Sequence, residues 1–113
     1  MTLEWYAVRC VFRSAWLEHA DQLPPDEHLY EERITLWQAT STEEALALAE
    51  AEAIDYADDD DEYLELAQAY KLLDSPGQGA EVFSLMRSSS LEADEYLDAH
   101  FDTGTERAQV LDA

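Results

Sequence analysis

Glu4-Trp5-Tyr6-Ala7-Val8-Arg9-Cys10-Val11-Phe12-Arg13 is the stretch on which the fold turns. Its residues alternate. Tyr6, Val8, Cys10 and Phe12 fall on one side, and Trp5, Ala7, Arg9, Val11 and Arg13 on the other. That is the period of two that a strand imposes, carried by β-branched and aromatic types. The pattern returns from Tyr30 to Ala39, where Ile34 and Leu36 oppose Arg33, Thr35 and Trp37. Two strands are expected, with Tyr6, Val8, Ile34 and Leu36 turned to the core. Residues 14–29 lie between them and include Trp16, His19 and Pro24-Pro25. A hairpin loop usually takes about two to five residues, so this connection reads as a partly ordered flap anchored by Trp16.

Downstream, Ser41-Thr42-Glu43-Glu44 has the form of a capping box, in which Ser41 accepts from the Glu44 amide and the Glu44 carboxylate reaches back to the Ser41 amide. The alanine-rich run that follows carries Leu46, Ala49, Ala53 and Ala57, flanked by Ala45, Leu48 and Tyr56, at helical spacing to about Ala57. Alternation resumes from Tyr63 to Leu72, with Leu64, Leu66, Tyr70 and Leu72 on the apolar side and Glu65 and Lys71 opposite. Asp74-Ser75-Pro76-Gly77-Gln78-Gly79 reads as a turn, and Ala80–Ser88 as the returning strand. Ser89, three residues before Glu92, suggests a second box and a helix over Leu91–Phe101 that buries Leu91, Tyr96, Leu97 and Phe101. The expected fold is α+β: a four-stranded antiparallel sheet in ββαββα order with both helices on one face. One domain spans 1–101, and 102–113 reads as a flexible tail.

Composition narrows the function. At 113 residues and 47% hydrophobic, the chain has enough apolar material for one core, despite a net charge of −21. Six basic residues against twenty-seven acidic ones disfavour nucleic acid and anionic membranes, both of which are recognised largely through Lys and Arg. The charge favours solubility and fast, salt-sensitive association with a basic protein. The sequence offers no basic, apolar leader and no apolar run long enough to span a bilayer, and Cys10 is its only cysteine. A soluble protein of the reducing cytoplasm, without a cofactor, is expected.

Three strings, Trp5-Tyr6-Ala7-Val8-Arg9, Tyr30-Glu31-Glu32-Arg33-Ile34 and the Glu43-Glu44-Ala45 helix running to Tyr56, resemble a bacterial family known as domain of unknown function 4288. The likeness covers roughly residues 1–57. It implies the fold of that half and no activity, because the family has none assigned.

The candidate site is the sheet side facing away from the helices. On the alternation above it collects Trp5, Arg9 and Arg13 from the first strand, Arg33 and Trp37 from the second, and Lys71 from the third, with Arg87 nearby. Tryptophan and arginine make up interface cores and anion platforms. The plainer reading is that the arginines pair with glutamates such as Glu65 while the tryptophans shield an open sheet. Trp5, Arg9, Arg33, Trp37 and Lys71 are therefore the expected binding residues for a protein partner or a second copy, in the manner of an immunity-type protein. The alternative is an anionic small molecule or a small enzyme site under the 14–29 flap.

The other features carry less. Asp55 and Asp58–Glu62 form an acidic run at a helix C-terminus, where the macrodipole disfavours them, but they lack the alternating ligands and the glycine of an EF-hand loop. His19, His28 and His100 share no ligand-like spacing. Cys10 sits on the expected core face, where a thiol packs as a small hydrophobe. No glycine-rich phosphate loop or nucleophile elbow is present.

Overall fold

The computed structural model describes residues 2–14, 26–57, 61–101 and 103–104. Five elements follow in order: β1 (Glu4–Ser14), β2 (Leu29–Ala39), α1 (Thr42–Tyr56), β3 (Glu62–Lys71) and α2 (Ala93–His100). The strands form one antiparallel sheet in the order β2-β1-β3, with β1 in the centre. The class is α+β.

β1 is central because both its faces are consumed. Tyr6, Val8, Cys10 and Phe12 are at most 4% exposed beneath α1, and on the reverse face Ala7 is fully buried. α1 lays its alanines Ala45, Ala49 and Ala53 on the sheet, and Trp37, Leu46, Tyr63, Ala67 and Ala69 close the cluster. Small residues at this spacing let the helix axis approach the strands closely. Phe12 fills the space at one end, meeting Tyr56 edge-on at 5.2 Å and Tyr63 at 5.4 Å between ring centroids.

The start of α1 is fixed by its cap. The Glu44 amide donates to Ser41 Oγ at 3.1 Å. The Glu44 carboxylate, however, accepts from the Thr40 amide at 3.0 Å and not from Ser41, so the reciprocal half of the box is displaced by one residue. At the other end the Ala57 amide donates to the Ala53 carbonyl.

Three expectations are overturned. The sheet has three strands and not four, because 80–88 adopts no strand among the described residues. The turn before it does form, with the Ala80 amide donating to the Gly77 carbonyl and Gly79 at φ 79°. The chain then crosses the reverse face of the sheet instead of extending it, and Phe83 packs on Tyr70 at 5.9 Å and under the Arg9 guanidinium at 5.1 Å. The second helix does not join the first: α2 buries no residue, with Leu91, Leu97 and Phe101 all at least 40% exposed. Ser89 accepts from the Leu91 amide, a turn bond two residues on, and α2 begins only at Ala93, with no side-chain cap at Glu92.

The flap core at 15–25, the Asp58–Asp60 part of the acidic run and most of the 102–113 tail lie outside the described residues. No described helix is long and apolar enough to cross a membrane.

Candidate functional site

The pairing of β1 with β2 decides which side chains share a face, because residues directly opposite in an antiparallel pair point to the same side. Tyr6 stands opposite Trp37, Val8 opposite Thr35, Cys10 opposite Arg33 and Phe12 opposite Glu31. Arg33 and Trp37 therefore lie under α1, while Ile34 and Leu36 lie on the open face, 45% and 41% exposed. This reverses the faces expected for β2. It splits the expected binding set: Trp5 and Arg9 remain on the open face, and Arg33 and Trp37 belong to the helix side.

β3 is reversed as well. Tyr6 faces Lys71, Val8 faces Ala69 and Cys10 faces Ala67, which puts Lys71 at the helix-side end of the sheet, where it pairs with Glu4. Tyr70 and Gln68 take the open face beside Ala7 and Arg9. Beyond Cys10 the register shifts, and Phe12 meets Tyr63, so Leu64–Leu66 stand against Val11 alone. Glu65 in this bulge has φ 61°, a left-handed conformation uncommon for a side chain of its kind.

The cations are satisfied from within. Arg9 donates through Nε to Gln68 Oε1 at 3.1 Å and pairs with Glu32 at 3.3 Å. Arg13 pairs with Glu62 at 3.2 Å across the strands. Arg33, half-buried, reaches Glu52 on α1 at 2.5 Å and lies 3.8 Å over the Tyr56 ring. Arg87 donates to the Tyr96 hydroxyl at 2.9 Å. The arginines thus pair with glutamates of this chain, with Glu32 and Glu62 as the cross-strand partners in place of Glu65, while Trp37 packs against the core instead of shielding the open face.

Beneath α1 a polar fringe borders the core. The Tyr63 hydroxyl donates to Glu50 at 2.7 Å, and the Tyr56 hydroxyl donates to both oxygens of Glu31 at 2.9 and 3.0 Å. Desolvation first, and then the Glu50 hydrogen bond, push the Tyr63 pKa well above its ordinary value. Tyr56 moves the same way through burial and Glu31. Burial pushes the Cys10 thiol up, with the Tyr63 hydroxyl bond opposing it, so the thiol stays protonated and unreactive at neutral pH. The Glu52 bond raises Arg33 further, which keeps the guanidinium charged.

An open groove of about 520 Å³ runs between α1 and the β3 bulge, lined by Glu50, Ile54, Ala57, Glu62, Tyr63 and Glu65. Among the described residues no group of three or more histidine, cysteine or acidic side chains is arranged to hold a metal ion. His28 stacks near Tyr30 at 6.4 Å, and His100 on Tyr96 at 4.6 Å, far apart in the sequence and each in a local pair.

What sequence reasoning missed is the apolar half of the open face. Leu36, Ile34 and Tyr30 are presented to solvent opposite Ala7, Arg9 and Arg13, and the signal that hid Ile34 and Leu36 was their hydrophobicity, which argued for the core. No family model, curated protein or solved structure matches the chain.

Proposed function

We propose that this chain is a non-enzymatic interaction module that holds a basic protein partner on the part of the reverse sheet face that Phe83 leaves uncovered, at Trp5 and the exposed Ile34 and Leu36, as an immunity-type protein would. The observation that carries this is the pair Ile34 and Leu36, 45% and 41% exposed at successive same-face positions of β2, in a chain whose surplus is carboxylate. Exposed apolar residues grouped on one face supply the adhesive contact. The net charge of −21 supplies long-range steering and selects for a cationic surface.

An anionic small molecule fits less well. Arg9, Arg13, Arg33 and Lys71 each already meet a carboxylate of this chain, so an incoming anion would have to displace one. The single cysteine, buried, suits a reducing compartment such as the cytoplasm.

Affinity capture of proteins from the native host on the immobilised chain, at about 50 and 500 mM salt, tests the reading. A basic protein retained at low salt, released at high salt and lost with Trp5→Ala is expected. Retention indifferent to both salt and Trp5→Ala would refute it.

A further inference from the structure

The sheet has two outer edges, and they are built differently. That of β3 is broken by the Leu64–Leu66 bulge and the left-handed Glu65, irregularities that stop an edge from templating another strand. That of β2 has no bulge, and its charged side chains Glu31, Glu32 and Arg33 are each held by a partner within the chain. Its eleven residues pair with β1 from Leu29 to Ala39 without a register shift, and the strand contains no proline, glycine or lysine.

Which backbone groups face outward follows from one hydrogen bond. The Leu72 amide donates to the Trp5 carbonyl at 2.9 Å, so Trp5 turns its peptide groups toward β3. Alternation along β1 then directs Tyr6, Val8, Cys10 and Phe12 toward β2, where they meet Trp37, Thr35, Arg33 and Glu31. The intervening residues Tyr30, Glu32, Ile34, Leu36 and Gln38 therefore point their amides and carbonyls away from the sheet. Among the described residues no strand pairs with them.

We propose that a second copy of this chain occupies this edge, β2 against β2 in antiparallel pairing about a two-fold axis at Ile34, joining two three-stranded sheets into one. This register engages all five outward-facing residues at once. Ile34 meets its own counterpart, Glu32 meets Leu36, and Tyr30 meets Gln38. On the helix side Arg33 meets Thr35, and Glu31 meets Trp37. No two like charges stand directly opposite, the condition that most often forbids a self-paired strand. Glu52 and Tyr56 already hold the Arg33 charge, so it does not repel the incoming chain.

The axis is perpendicular to the sheet, so the two open faces lie side by side on one surface. The dimer goes beyond the docking of a basic partner and stands without it. Salt separates the two. Two chains of −21 repel, so screening strengthens the dimer, whereas it weakens attachment of a basic protein.

Sedimentation equilibrium of the full chain at about 50 and 500 mM salt is the primary test, with a dimer that tightens at high salt expected. Ile34→Pro removes an outward amide and none of the β1 ladder bonds, and is expected to weaken the dimer roughly tenfold or more while the far-ultraviolet circular dichroism is kept. Should that variant unfold, Ile34→Cys decides: a short bis-maleimide is expected to join two copies at this position, because the other thiol, Cys10, is buried. A strict monomer at both salts, a dimer lost with Trp5→Ala but kept with Ile34→Pro, or an Ile34→Cys chain that does not cross-link would each overturn the proposal.

Discussion

The chain before Lys71 and the chain after it obey different rules. Among the described residues β1, β2 and α1 hold every buried hydrophobic but one, with β3 packed half-buried against them, while beyond Lys71 only Leu72 is buried and Met86 is 94% exposed. The same local signal appears in both halves, a serine three residues ahead of a glutamate. At Ser41 it opens a fifteen-residue helix, and at Ser89 it ends in a turn before an eight-residue one. Caps position a helix; burial of a stripe makes it durable. α1 has a sheet to lie on, and α2 has none.

The sharpest way to break the contrast is to empty the packed half. Phe12→Ala removes a side chain that is 1% exposed and touches two aromatic rings, and is expected to cost about 3–5 kcal/mol in urea denaturation. Arg33→Ala leaves Glu52 without its cation and Tyr56 without its stacked guanidinium. Both groups are partly solvated, so about 1–2 kcal/mol is expected by the same measurement.

pH addresses the polar fringe of the same half. The folded pKa of Tyr63 lies above its unfolded value, so the stability it contributes is complete below pH 10 and is lost as pH rises beyond that toward the folded value. Urea midpoints taken from pH 7 to 11 are expected to fall at the alkaline end, and less steeply in Tyr63→Phe. Tyr56 and Cys10, shifted in the same direction, leave that variant a residual slope. The two caps give the finest comparison. Ser41→Ala is expected to cost about 1 kcal/mol, and Ser89→Ala nothing measurable. Equal losses at the two serines would mean that α2 is anchored as firmly as α1.

Much of this was legible in the sequence. The alternation of residues 4–13 and 30–39 located β1 and β2 to within a residue or so, and Ser41 and the alanine stripe located α1. Parity was not legible on β2. Ile34 and Leu36 outrank Arg33 and Thr35 in hydrophobicity, yet the face of an edge strand is set by its register with β1, which seats Arg33 where α1 offers Glu52. On β3 the residues opposite the core-facing side chains of β1 are Tyr63, Ala67, Ala69 and Lys71, so the larger apolar residues Leu64, Leu66 and Tyr70 fall in the other phase, and no glycine or proline in Glu62–Lys71 announced the bulge between them. Residues 80–88 read as a returning strand because a turn precedes them and Val82, Phe83, Leu85 and Met86 are apolar; what they lack is a neighbour to pair with. The candidate site was accordingly half legible. Trp5 and Arg9 stayed where alternation put them, and the residues beside them came from the opposite phase of β2.

The alanine stripe of α1 sets a tolerance. With Ala45, Ala49 and Ala53 against the strands, only methyl groups of the helix stand in the gap between helix and sheet, and two tethers cross it, Arg33 to Glu52 and Tyr63 to Glu50. A leucine at Ala49 would act as a shim, lifting the helix and stretching both tethers together. The spacing between the layers is thus gauged by three methyl groups, and that gauge keeps a charged edge strand in register.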